Sequence, residues 1–185
     1  FRRADASNAK RVRPHMFWAA LHLASPDEIG RKRGVLISIT QRITGYASDF
    51  LKLLNSSAWQ RAELPNYFEA PTEPNKRQLW SRCLAACEDY FTRESREYRL
   101  LEKGIVVHHG NMPGLLARLL VEVVSQKIVT VVMATSTLSE GVNLPFETVL
   151  IPSLERRDID RIRNTRLDIR EFSNLIGRAG RPGFG

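Results

Sequence analysis

Apolar and polar residues follow one another along this chain in blocks whose spacing predicts alternating helices and strands. The run HMFWAALHLA (residues 15–24) is short, apolar and aromatic, and Ser25-Pro26-Asp27 stops it. Its periodicity suits helix or strand, and a helix is expected. Gly34 to Thr40, GVLISIT, is a β-branched run bounded by Arg33 and by Gln41-Arg42, the profile of a strand buried on both faces. Phe50, Leu51, Leu53 and Leu54 then recur at helical spacing, whereas Asn55 to Pro74, broken by Pro65, Pro71 and Pro74, reads as a long peripheral loop. Two helical stretches follow, Lys76 to Phe91 and Arg93 to Lys103, the second ended by Gly104, a favourable residue just past a helix C-terminus. GIVVHH (Gly104 to His109) is the next buried strand. Pro113 suits the first turn of a helix running to about Gln126, with Leu116, Leu119, Leu120 and Val123 on one stripe. IVTVVMA (Ile128 to Ala134) and TVLIP (Thr148 to Pro152) add two strands. Strands separated by helices imply right-handed crossovers, and so an α/β fold with a doubly wound parallel sheet covered by helices on both faces.

Composition narrows the class. With 185 residues, 43% apolar and 26% charged, the chain suits one folded domain or a lobe of a larger enzyme, not a disordered segment. No apolar run approaches the roughly 20 residues that span a bilayer, and FRRADASNAKRVRP lacks the apolar centre of a signal peptide. Neither membrane insertion nor secretion is expected, and a cytoplasmic location is. Residues 1–14 carry five basic residues and read as a basic arm or linker. Cys83 and Cys87 lie four apart on a predicted helix, where bonding geometry is poor, and no second ligand pair accompanies them; buried thiols are expected, and no metal site. His15 and His22 flank aromatics as packing or surface residues. The stretch Arg156 to Arg170 alternates with acids, as a solvated helix or loop does. Lys and Arg number 28 against 20 acids, a net +8 that favours polyanionic partners without singling them out.

In open parallel sheets ligands bind beyond the carboxyl ends of the strands. Those positions hold Thr40-Gln41-Arg42, His109-Gly110-Asn111, and Thr135-Ser136-Thr137 followed by Glu140-Gly141-Val142-Asn143. Short hydroxyl donors, an imidazole, exposed backbone N–H groups and an arginine suit a phosphodiester chain, although any strand end that opens a loop is polar. GRAGRP (Gly177 to Pro182) places two guanidiniums three residues apart among glycines, a pattern suited to a transferring phosphoryl group. A solvated basic turn has the same sequence.

GIVVHHGNMP, VVMATSTLSEGVNLP and EFSNLIGRAGRPG, in that order and on those elements, resemble the second RecA-like lobe of superfamily II helicases of the DExH/D type. The resemblance is to the branch of exosome-associated RNA helicases, archaeal DNA-repair helicases and their bacterial relatives. It covers about Gly34 to Gly185 and is dense from Gly104 onward. It implies a RecA-like lobe over residues 15–185, incomplete at its C-terminal end, with a helical insertion at about 55–103. By the same resemblance Thr40, Gln41, Arg42, His109, Gly110, Asn111, Thr135, Ser136 and Thr137 contact nucleic acid. Glu140, Gly141, Asn143, Asn174 and Gly177 lie on the ATP side, and Arg178 and Arg181 are the catalytic arginine pair. Asn174, a shorter amide with the same hydrogen-bonding groups, stands where much of the family carries glutamine.

The chain contains no GxxxxGK[ST] loop, and its Asp27-Glu28 pair sits in a Ser-Pro turn instead of after a buried strand. ATP and Mg2+ are therefore expected to be held mainly by a first RecA-like lobe, and the chain to be a fragment of a longer helicase, inactive alone. The expected partners are that lobe and single-stranded or duplex RNA or DNA, with no membrane. The alternative is a lobe of a scaffold that binds nucleic acid or protein without hydrolysis.

Overall fold

Four β-branched runs form one parallel sheet: β1 (Val35–Ile39), β2 (Ile105–His108), β3 (Val131–Thr135) and β4 (Thr148–Leu150), in the order β2-β3-β1-β4. The computed structural model describes residues 6–40, 42–135, 144, 146–153, 155–157, 164–166, 169–170 and 173. The fold is the expected α/β type, with helices on both faces of an all-parallel sheet. Successive strand residues point to opposite faces, and this period divides the core in two. Val35, Ile37, Ile39, Ile105, Val107, Val131 and Met133 face α1 (Ala6–Ala24) and α2 (Ile43–Leu54). Leu36, Val106, Val132 and Ala134 face α4 (Pro74–Phe91) and α6 (Gly114–Ser125). Burial on both faces is why these strands read as unbroken apolar runs.

α1 begins at Ala6, within the stretch read as a basic arm, and continues through Pro14 to Ala24. An interior proline removes a helical hydrogen bond and costs on the order of 3 kcal/mol. Phe17, Ala20, Leu21 and Ala24, all fully buried against the sheet and α2, offset that cost. One turn earlier, Arg13 pairs with Asp49 of α2 and lies 3.9 Å over the Tyr46 ring.

The stretch expected as a helical insertion, about 55–103, contains α3 (Ser57–Arg61), α4 and α5 (Arg96–Leu101). Its irregular part is anchored as well: Tyr67 is buried, and burial pushes its phenol up to about 12. α5 packs against β2, α2 and α4 and so covers the open edge of the sheet. Cys83 and Cys87 are buried on α4, as expected. Gly104 ends this region with φ +72° at the entry to β2. Pro113 precedes α6 instead of lying within it. The charged stretch read as solvated helix or loop includes an antiparallel pair, β5 (Glu155–Arg157) with β6 (Asn164–Arg166).

Candidate nucleic-acid interface

Parallel strands in register bring their carboxyl ends into one row. Ile39 of β1 is level with Thr135 of β3, and His108 of β2 is level with Ala134. Thr40, Thr135 and His109 thus stand along a single edge across three neighbouring strands. Adjacent strands lie about 4.8 Å apart, so β2 and β1 are separated by roughly 10 Å. Thr40 donates its Oγ1 hydrogen to the Ser153 carbonyl at 3.2 Å, tying the end of β1 to the segment that follows β4. Arg42 occupies the position before α2, exposed and without a side-chain capping bond.

After β2 the chain turns sharply, with the Met112 N–H donating to the His109 carbonyl at 3.0 Å. This turn leaves Gly110 and Asn111 exposed and His109 half-buried. The His109 ring lies edge-on to Phe91, centroids 6.2 Å apart. His108 faces inward. Its Nδ1 is buried with no hydrogen-bond partner among the described residues. Burial, then the neighbouring His109, lowers its pKa from the ordinary 6.5. A neutral His108 supports the strand, and the next residue is the one turned to the edge.

Six residues predicted from the sequence, Thr40, Arg42, His109, Gly110, Asn111 and Thr135, therefore share one edge. Gln41, Ser136, Thr137, Glu140, Gly141, Asn143, Asn174, Gly177, Arg178 and Arg181 lie outside the described residues. Ser153 and Phe91 were not anticipated. Nothing in the sequence pattern pairs Phe91 with His109. Among the described residues no group of three or more His, Cys, Asp or Glu could hold a metal ion, and no helix is long and apolar enough to cross a membrane.

No protein-family model matches the chain. It is 39% identical over 85 residues to the antiviral helicase SKI2 of Saccharomyces cerevisiae. It is 38% identical over 85 residues to the ATP-dependent DNA helicase Hel308 of Aeropyrum pernix, and 34% over 85 to the U5 small nuclear ribonucleoprotein 200 kDa helicase of Homo sapiens. The chain contains a region related to the superfamily II helicases. Each match takes in 46% of this chain, and the helicase-related region spans only 6%, 11% and 4% of those relatives, respectively.

Proposed function

We propose that this chain is the second motor lobe of an ATP-dependent nucleic-acid helicase or translocase. The observation that carries the proposal is the row of short polar side chains, one imidazole and Arg42 at the carboxyl edge of an in-register parallel sheet, in a chain similar to helicases. Backbone N–H groups there and the Arg42 guanidinium suit phosphate oxygens, which position a strand without reading its sequence. Ser136, Thr137 and Gln41, by their resemblance to the helicase motifs, are proposed to contact the same strand.

The nucleotide half belongs elsewhere. The described residues do not themselves fit an ATP–Mg2+ site, having no metal-ligating cluster, and the chain has no phosphate loop. A first RecA-like lobe would hold the nucleotide, whose hydrolysis supplies the free energy for movement. Glu140, Gly141, Asn143, Asn174 and Gly177 would face it, and Arg178 and Arg181 would offset charge on the transferring phosphoryl group. Hydrolysis would alternate the lobe–lobe geometry and shift the grip of Thr135, Thr137 and His109 along one strand.

Two measurements test this. Binding of the full chain to single-stranded RNA and DNA is expected to weaken with salt, and Arg42→Ala to reduce the slope of log K against log salt by about 1. In a protein carrying both lobes, Arg181→Ala is expected to lower ATP turnover by about 10³–10⁵ with nucleotide binding retained. No binding of either strand in low salt, or full turnover in Arg181→Ala, refutes the motor assignment.

A further inference from the structure

The insertion meets the row of strand ends at one corner, and does so twice. α4 ends at Phe91, whose ring stands edge-on to His109 at an interplanar angle of 72°. α5 opens at Arg96, whose Nη1 donates to Ser48 Oγ at 3.0 Å and to the Thr44 carbonyl at 3.4 Å. Thr44 and Ser48 belong to the first two turns of α2, the helix that begins directly after Arg42. The residues between these two anchors are bonded to one another. Thr92, at φ +65°, donates its N–H to Glu88 at 2.8 Å; Ser95 donates its N–H to the Thr92 carbonyl at 3.3 Å and accepts the Tyr98 N–H at 3.1 Å. Residues 91–96 thus link the loop after β2 to the helix after β1.

An imidazole beside Gly110 at a tight turn has several rotamers open to it, and ordering it on binding costs free energy that a preset ring avoids. An edge-to-face aromatic neighbour removes that freedom beforehand. Arg96 does the corresponding service for α2, because its Nη1 is bonded to groups on two successive turns and ties the start of that helix to α5. We propose that residues 91–96 are a positioning element for the nucleic-acid interface. Phe91 sets the His109 ring, and Arg96 sets the helix that carries Arg42. Contacts from β1 and β2 are thereby held at one spacing along a strand. The inference rests on the edge being that interface. Neither Phe91 nor Arg96 need touch the ligand, since each acts through the residue beside it.

Phe91 also packs against the α4–α6 core, so loss of binding on truncation would not by itself distinguish positioning from stability. A double-mutant cycle does. Affinity of the full chain for a short fluorescent single-stranded RNA, and for its DNA counterpart, is measured at low salt for wild type, Phe91→Leu, His109→Ala and the double variant. Phe91→Leu is expected to bind about 3- to 10-fold more weakly, the double variant no more weakly than His109→Ala, and Phe91→Tyr as wild type. Additive losses, or wild-type binding by Phe91→Leu where His109→Ala is weakened, overturn the inference alone. Wild-type binding by His109→Ala overturns both the interface and the inference. If Phe91→Leu does not fold, the cycle of Arg96→Gln with Arg42→Ala replaces it: non-additivity supports the positioning role and additivity rejects it.

Discussion

Replacing Gly104 with alanine tests how residues 55–103 are joined to the sheet. At φ +72° the residue occupies a left-handed conformation that costs an L-amino acid about 1–2 kcal/mol. Space is a second obstacle. An added Cβ would lie 2.5 Å from Phe68 Cβ and closer still to Cγ and Cδ2 of that ring. Phe68 has little room to retreat, because it packs against both halves of the core and its ring centroid is 5.4 Å from that of Trp80. Overpacking of this kind costs about 1–3 kcal/mol, giving a combined loss of about 2–5 kcal/mol. Against the typical 5–15 kcal/mol of a folded domain, that is a large fraction. Equilibrium unfolding in urea, followed by tryptophan fluorescence, should show a lower midpoint at unchanged slope. The two causes separate in a Phe68→Gly background, where the added methyl meets neither the ring nor its Cβ and Gly104→Ala should cost only about 1–2 kcal/mol more. A single variant within about 0.5 kcal/mol of wild type would refute both the conformation and the contact.

Two further outcomes follow from buried titratable groups. His108 is held below its ordinary 6.5 chiefly by burial, so below 6.5 the unfolded chain binds more protons than the folded one. Stability should therefore fall as pH drops below 6.5 and level off beneath the lowered folded value. Urea midpoints on either side of 6.5 should show this dependence reduced in His108→Gln, and equal dependence in both proteins would count against the burial argument. On α4, burial raises Cys83 and Cys87 to about 12, with smaller contributions from Cys87 and Glu97, respectively. Since the thiolate is the nucleophile, both cysteines should resist a disulfide reagent in native buffer near neutral pH and react once denaturant is added. Rapid native labelling would contradict it.

The sheet was legible in the sequence because its strands are covered on both faces, and a β-branched run with no polar alternation suits few elements besides a buried strand. The shared edge of the candidate residues was legible for a topological reason: once all strands are parallel, their ends must share an edge, and Thr40, His109 and Thr135 fall there without any side-chain detail. Tertiary compensation was not legible. Pro14 looks like a boundary until the burial of Phe17 and Leu21 against α2 is known. β5 and β6 carry charged residues with no apolar period, so a strand pair had no signature. The contact of Phe91 with His109 joins residues 18 apart through the turn after β2, and no local pattern encodes it.

A depression of about 310 Å³ lies at the amino edge of the strands, lined by Lys32, Glu69, Glu73, Lys76, Lys127 and Ile128 among others. Its cations are largely answered from within: Lys76 pairs with Glu73 at 3.1 Å, Lys127 with Glu147 at 3.2 Å, and nearby Asp27 holds Arg31 and Arg33 at 3.3 and 3.9 Å. Such exposed pairs add little stability, but they cancel the field that a polyanion would follow. At the carboxyl edge Arg42 is exposed with no ion pair among the described residues, beside hydroxyls and turn amides that carry no negative charge. In a chain of net +8, Arg42 stands with no ion pair among the described residues at the same end as the strand-end backbone donors, which is what the proposed contact with a phosphate backbone requires.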